Sequence, residues 1–162
     1  MKVFVSYSSE DFALVLPVVK LLRAHDSLVF LDWDSIQPGE LWAESIMASV
    51  ERAELVALFW CAHAAKSPEV EREYKFALES GKRLMPILLD GTPLPNELAV
   101  WQWVDFRELA GRTHDDPRLR FSPAPGYVGG PSGGFGSIPE EEERIRGLQA
   151  RMAVVLAQRM LS

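Results

Sequence analysis

Short apolar runs alternate with stretches of helical period along this chain, and that alternation leaves few folds open. Val3-Phe4-Val5 comes first, a β-branched and aromatic run that reads as a buried strand. Residues 28–31, 55–60, 84–89 and 103–106 repeat the pattern. The segments between them carry apolar residues three and four apart, as a helix with one buried face does. Strands alternating with helices imply a parallel sheet covered on both faces. The expected fold class is therefore α/β: a flavodoxin-like three-layer sandwich whose five-stranded parallel sheet has the order 2-1-3-4-5. Right-handed crossovers gather the loops after strands 1, 2 and 3 at one rim, where ligands of such sheets bind.

Local punctuation supports this division. Ser6-Tyr7-Ser8-Ser9 supplies turn residues and an N-cap for a helix opening at Glu10-Asp11, with Phe12, Leu16, Val19 and Leu22 on its apolar face. Pro17 lacks a backbone donor, which predicts a kink or a late start. Ser67-Pro68 opens another helix, and Gly81 stops it. From 121 to 139, 13 of 19 residues are Gly, Pro or Ser, a composition unable to support a core. Four acids, Glu140 to Glu143, then complement the dipole of a last helix. At 162 residues one core is expected. The chain reads as a single domain, 1–162, with 121–138 as a flexible insertion and 140–161 as the C-terminal helix.

Charge and cysteine usage exclude some functions. A net charge of −6 disfavours an electrostatic grip on nucleic acid or acidic lipid, so neither nucleic acid nor a membrane is an expected partner. The single cysteine, Cys61, excludes an internal disulfide, and neither a cysteine-based zinc site nor any other metal is expected. Without a signal peptide before Val3 or a membrane-spanning apolar run, the expected location is cytoplasmic.

The segment 67–78 is the most informative for chemistry. At 100° per residue, Val70, Tyr74, Ala77 and Leu78 form the stripe that faces the sheet, and Glu73 lies on its border. That position directs one acid toward the core edge, where desolvation favours the protonated carboxyl; a snorkelling or salt-bridged acid fits the same spacing. Asp32 and Asp34 close the second strand. A strand-end pair of this kind binds Mg²⁺ in receiver domains, but here Ser6-Tyr7 ends strand 1 and Asp105-Phe106-Arg107 ends strand 5, so the receiver pattern is absent. Asp34 reads as a loop or capping residue. Cys61 and His63 follow strand 3 without a third ligand or an evident acid partner, which argues against a Cys–His nucleophile. No GxxxxGK[ST] phosphate loop occurs.

Four segments, in order, resemble the Toll/interleukin-1 receptor (TIR) family, bacterial type. Lys2 to Ser8, KVFVSYS, is similar to its first signature, a strand ending in Ser-Tyr. Phe30-Leu31-Asp32 with Ile36-Gln37-Pro38-Gly39 resembles the second strand and its Pro-Gly loop. Ser67 to Glu73, SPEVERE, resembles the Ser-x-Trp-Val-x-x-Glu segment of NAD-cleaving members, with Glu69 where the tryptophan is usual. Arg83 to Asp90 is similar to the fourth strand of bacterial members.

The resemblance implies an NAD⁺ glycohydrolase that needs no cofactor beyond NAD⁺ as substrate. It places the catalytic carboxylate at Glu73, and substrate contacts at Tyr7, Ser8, Asp32 and Trp42. Nicotinamide leaves as a neutral group, and a carboxylate stabilises the oxocarbenium-like ribose left behind. The products are nicotinamide and ADP-ribose or a cyclic isomer. It also implies an effector activated by self-assembly through TIR–TIR contacts, with Ile36, Pro38 and Gly39 in the association loop. The alternative is a non-catalytic TIR–TIR interaction module.

Overall fold

The computed structural model describes residues 1–24, 28–31, 42–107 and 139–161. Strand β1 (Lys2–Ser6) is followed by a 3-10 turn (Ser9–Asp11), helix α1 (Phe12–Ala24), β2 (Leu28–Leu31) and α2 (Trp42–Arg52). Then come β3 (Leu55–Trp60), α3 (Ala62–Ala65), α4 (Pro68–Glu79), β4 (Arg83–Leu88), α5 (Asn96–Ala99) and β5 (Val104–Asp105). The long helix α6 (Pro139–Leu161) closes the described chain. The Gly/Pro/Ser-rich stretch 121–138 lies outside the described residues.

The sheet has the order β2-β1-β3-β4-β5, and every pairing is parallel. The chain winds from β1 outward to β2, then crosses back to β3 on the other side of β1. The β1/β3 boundary is therefore the topological switch point. Val3, Phe4 and Val5 are all buried, as is every residue of β3. Successive strand side chains point to opposite faces, so both faces of these inner strands are covered. Helix α1 packs with α6, and α2 packs with α4.

Helix α1 buries Leu14, Val15, Val18, Val19 and Leu22, while Phe12 and Leu16 are only half-buried. The buried arc is thus rotated from the expected one. Pro17 sits inside the helix and cannot donate to the carbonyl of Ala13, one turn earlier. Gln149 of α6 donates its side-chain amide to that Ala13 oxygen at 3.4 Å. A backbone acceptor freed by proline is satisfied by the neighbouring helix.

Helix α4 has sharply built ends. The Ser67 hydroxyl accepts from the Val70 amide at 3.3 Å, and Pro68 occupies the first turn. At the other end Gly81 adopts φ 65°, the Lys82 amide bonds to the Ala77 carbonyl and the Gly81 amide to that of Leu78. That 6→1, 5→2 pattern is a Schellman motif, which requires a left-handed residue. Strand β5 is shorter than the expected 103–106: Trp103 is exposed, and pairing begins at Val104. The four-residue helices α3 and α5 escape sequence periodicity, which needs more than one turn to register. Among the described residues, no helix is long and apolar enough to cross a membrane.

Candidate active site

Glu73 faces inward from α4. It is 3% exposed and shares the buried arc with Val70, Tyr74 and Ala77. Leu78, expected within that arc, is half-buried instead, so the helix is rotated to bring Glu73 in from the border. Oε2 of Glu73 accepts a hydrogen bond from the hydroxyl of Ser6 at 2.5 Å. Ser6, wholly buried, is the last residue of β1. A carboxylate on a capped helix is thus held by a hydroxyl on an inner strand, which fixes its orientation by rigid elements.

A cleft opens beside this pair between α2 and α4. Ala43, Ile46 and Met47 form one wall, and Glu69, Arg72 and Glu73 the other. It encloses about 10 Å³, room for roughly one water. Glu69 stands beside Glu73 on this wall, and its Oε2 accepts from the capping hydroxyl of Ser67 at 3.2 Å. A wider hollow of about 320 Å³ lies on the opposite flank of α4, walled by Trp60, Tyr74 and the turn from Pro93 to Pro95. Its carboxylate, Glu71, is ion-paired with Lys75. The smaller cleft has the buried carboxylate and is the better candidate.

Of the other site residues expected from sequence, Tyr7 and Ser8 are buried after β1 but do not wall the cleft. Ser8 serves as N-cap of the 3-10 turn, its hydroxyl accepting from the Glu10 amide at 3.4 Å. Trp42 begins α2, the helix that walls the cleft. Asp32, Ile36, Pro38 and Gly39 lie outside the described residues. Sequence reading missed Ser6; its signal was a hydroxyl at the carboxyl end of a central strand, where ligands of such sheets bind.

The environment of Cys61 and His63 corrects the expectation that they lack a third ligand and an acid partner. Asp11, brought in by the 3-10 turn after β1, accepts from the Cys61 thiol at 2.8 Å and faces Nδ1 of His63 at 3.1 Å. Glu10 stands 3.0 Å from the other ring nitrogen. Burial pushes the Cys61 thiol well above its ordinary pKa, and the charge and hydrogen bond of Asp11 add to the rise. Such a thiol is a poor nucleophile. Fifty residues separate Asp11 from Cys61, and only the β1–β3 pairing unites them.

With this geometry in view, comparison with known proteins places the chain. Residues 3–120 match the sequence family described as TIR domain. The chain belongs to the TIR domain family. It is similar to the TIR domain of the Toll-related receptor TRR-2 from Hydra magnipapillata, at 21% identity and a TM-score of 0.59, covering 74% of this chain and 98% of that one. It also resembles the TIR domains of the activated Roq1 resistosome directly recognizing the pathogen effector XopQ, at 17% identity and a TM-score of 0.54, covering 95% and 84%. At these identities the likeness concerns the fold. No curated protein matches the sequence.

Proposed function

We propose that this TIR domain, of bacterial type, is a cytoplasmic NAD⁺ glycohydrolase with Glu73 as its catalytic carboxylate. The observation that carries the reading is the burial of Glu73 at the carboxyl end of the sheet, with its oxygen held by Ser6. As the bond from nicotinamide to ribose breaks, positive charge develops on the ribose. A carboxylate in a site of low dielectric stabilises that charge far more than water does. Ser6 is a positioning residue, keeping the carboxylate aimed. Arg72, on the cleft wall, suits the diphosphate. Glu69, on the same wall, stands where the NAD-cleaving segment that this one resembles carries tryptophan, and a stacking surface for nicotinamide is lost there. Tyr7, Ser8, Asp32 and Trp42 complete the substrate contacts, and the products are nicotinamide with ADP-ribose or a cyclic isomer.

The activity belongs to an effector that self-associates through Ile36, Pro38 and Gly39. Two observations support this. The described walls enclose about 10 Å³, far below the roughly 300–1,000 Å³ of a ligand pocket, so the cleft must open or be completed. The Roq1 TIR domains were solved in an activated resistosome. The test is NAD⁺ turnover by purified protein at high concentration, with product identification, beside Glu73→Gln. Equal turnover by the two proteins removes Glu73 from the mechanism.

A second reading is a non-catalytic TIR–TIR interaction module. The closed cleft and Glu69 favour it. Absence of turnover at high concentration, with self-association intact, selects it.

A further inference from the structure

We propose that Asp11, Cys61 and His63 form a binding site for a zinc-class divalent cation. One ligand atom from each lies within 4.8 Å of the other two. Tetrahedral zinc, with bonds of about 2.0–2.3 Å, sets its ligands about 3.3–3.8 Å apart. Asp11 meets the other two through different oxygens, Oδ2 at 2.8 Å from Sγ and Oδ1 at 3.1 Å from Nδ1, so the carboxylate turns to present one oxygen to the ion. The three residues come from two connections, the turn after β1 and the turn after β3, that flank the switch point of the sheet, where folds of this order bind ligands.

The ring of His63 supplies a second, independent observation. Its Nδ1 faces Asp11 at 3.1 Å and its Nε2 faces Glu10 at 3.0 Å. Both neighbours are carboxylates, yet a neutral imidazole has one N–H to give. Two carboxylates on one ring call for positive charge between them, either a second ring proton or a metal ion at Nδ1 with Nε2–H given to Glu10. Metal-bound histidines commonly give their other N–H to a carboxylate, and Glu10 stands where that partner belongs. Thiolate, imidazole and carboxylate together suit zinc and its neighbours rather than Ca²⁺ or Mg²⁺. Binding forms metal bonds to Sγ, Nδ1 and an Asp11 oxygen, and the thiol proton leaves to solvent. Two negative ligands then neutralise a dication. His63, 30% exposed, and Glu10, 65% exposed, form the entry side, and water takes the fourth position. The ion ties the β1–α1 connection to the β3–α3 turn.

Cobalt(II) titration of the metal-free 162-residue chain tests this. Cys61 is the sole cysteine, so a thiolate-to-cobalt charge-transfer band reports this site alone. The expected result is saturation at one equivalent, release of one proton, and loss of the band when one equivalent of Zn²⁺ displaces the cobalt. Cys61→Ser abolishes the band. His63→Ala, at a partly exposed position that leaves the fold intact, weakens binding at least 10-fold, and Glu10→Gln weakens it about 10-fold. Failure of the band to appear overturns the proposal. So does a band whose midpoint is unmoved in His63→Ala, because cobalt is then held by the thiol alone.

Discussion

The hydroxyl of Ser6 and the carboxylate of Glu73 meet at 2.5 Å, across 67 residues of sequence. One belongs to an inner strand and the other to a helix capped at both ends, so neither depends on a loop for its position. The pair explains how an acid can sit 3% exposed in a core face otherwise lined by Val70, Tyr74 and Ala77: a buried polar group is tolerated where it is hydrogen-bonded.

Glu73→Gln retains the shape and an acceptor for Ser6, and is expected to unfold within about 1 kcal/mol of the parent. Turnover of NAD⁺ should fall about 100-fold or more, as when one charge-stabilising group is lost. Ser6→Ala leaves the carboxylate in place without this hydroxyl; kcat should drop while Glu73 persists, and the unfolding free energy should fall by about 1–3 kcal/mol. A Ser6→Ala protein with parental kcat and stability would show that the contact positions nothing.

Gln149 and Pro17 should be energetically coupled through the Ala13 carbonyl. Gln149→Ala is expected to cost about 0.5–1.5 kcal/mol by leaving that acceptor unpaired. With Pro17→Ala, the residue at 17 regains a backbone donor, and the same Gln149→Ala change should become nearly neutral. A double-mutant cycle in urea measures the difference; additive effects would mean the amide bond does not compensate for the proline.

Gly81→Ala places a side chain at φ 65°. No atom crowds the added carbon, so the cost is conformational, about 1–2 kcal/mol. Gly81→Asn should lose less, since asparagine tolerates this region. Thermal unfolding distinguishes strain from packing: equal losses for the two variants would point away from the backbone.

The raised pKa of Cys61 makes stability depend on alkaline pH. The folded chain holds the neutral thiol, whereas the unfolded chain releases its proton near pH 8.5. Stability contributed by this group is therefore fully present below about pH 8.5 and declines above it by up to about 1.4 kcal/mol per pH unit. Denaturant melts of metal-free protein between pH 7 and 10 should show this decline, and Cys61→Ser should flatten it. The native thiol should also resist alkylation until the chain unfolds.

If association through the Pro-Gly loop completes the cleft, NAD⁺ turnover per molecule should rise with protein concentration. Gly39→Pro should suppress both association and turnover, measured by light scattering and product assay. Specific activity that is constant across a hundredfold dilution would exclude assembly as the trigger, whatever the role of Glu73.

The sequence alone carried the strand–helix alternation, the caps of α4 at Ser67 and Gly81, and Glu73 as the acid worth following. These are local features: periodicity, N-cap chemistry and left-handed glycine act over a few residues. The tertiary structure decided which groups meet. Nothing near Glu73 in the chain announces Ser6, and nothing near Cys61 announces Asp11. Both encounters arise because β1 pairs with β3 and α4 crosses over them, joining residues fifty or more positions apart. The rotation of α4 that buries Glu73 in place of Leu78 was likewise invisible, because helical period defines an arc but packing against the sheet chooses its centre. Pro17 shows the same division: the missing donor is written in the residue, and its remedy is supplied by Gln149, which only the packing of α6 on α1 brings within reach.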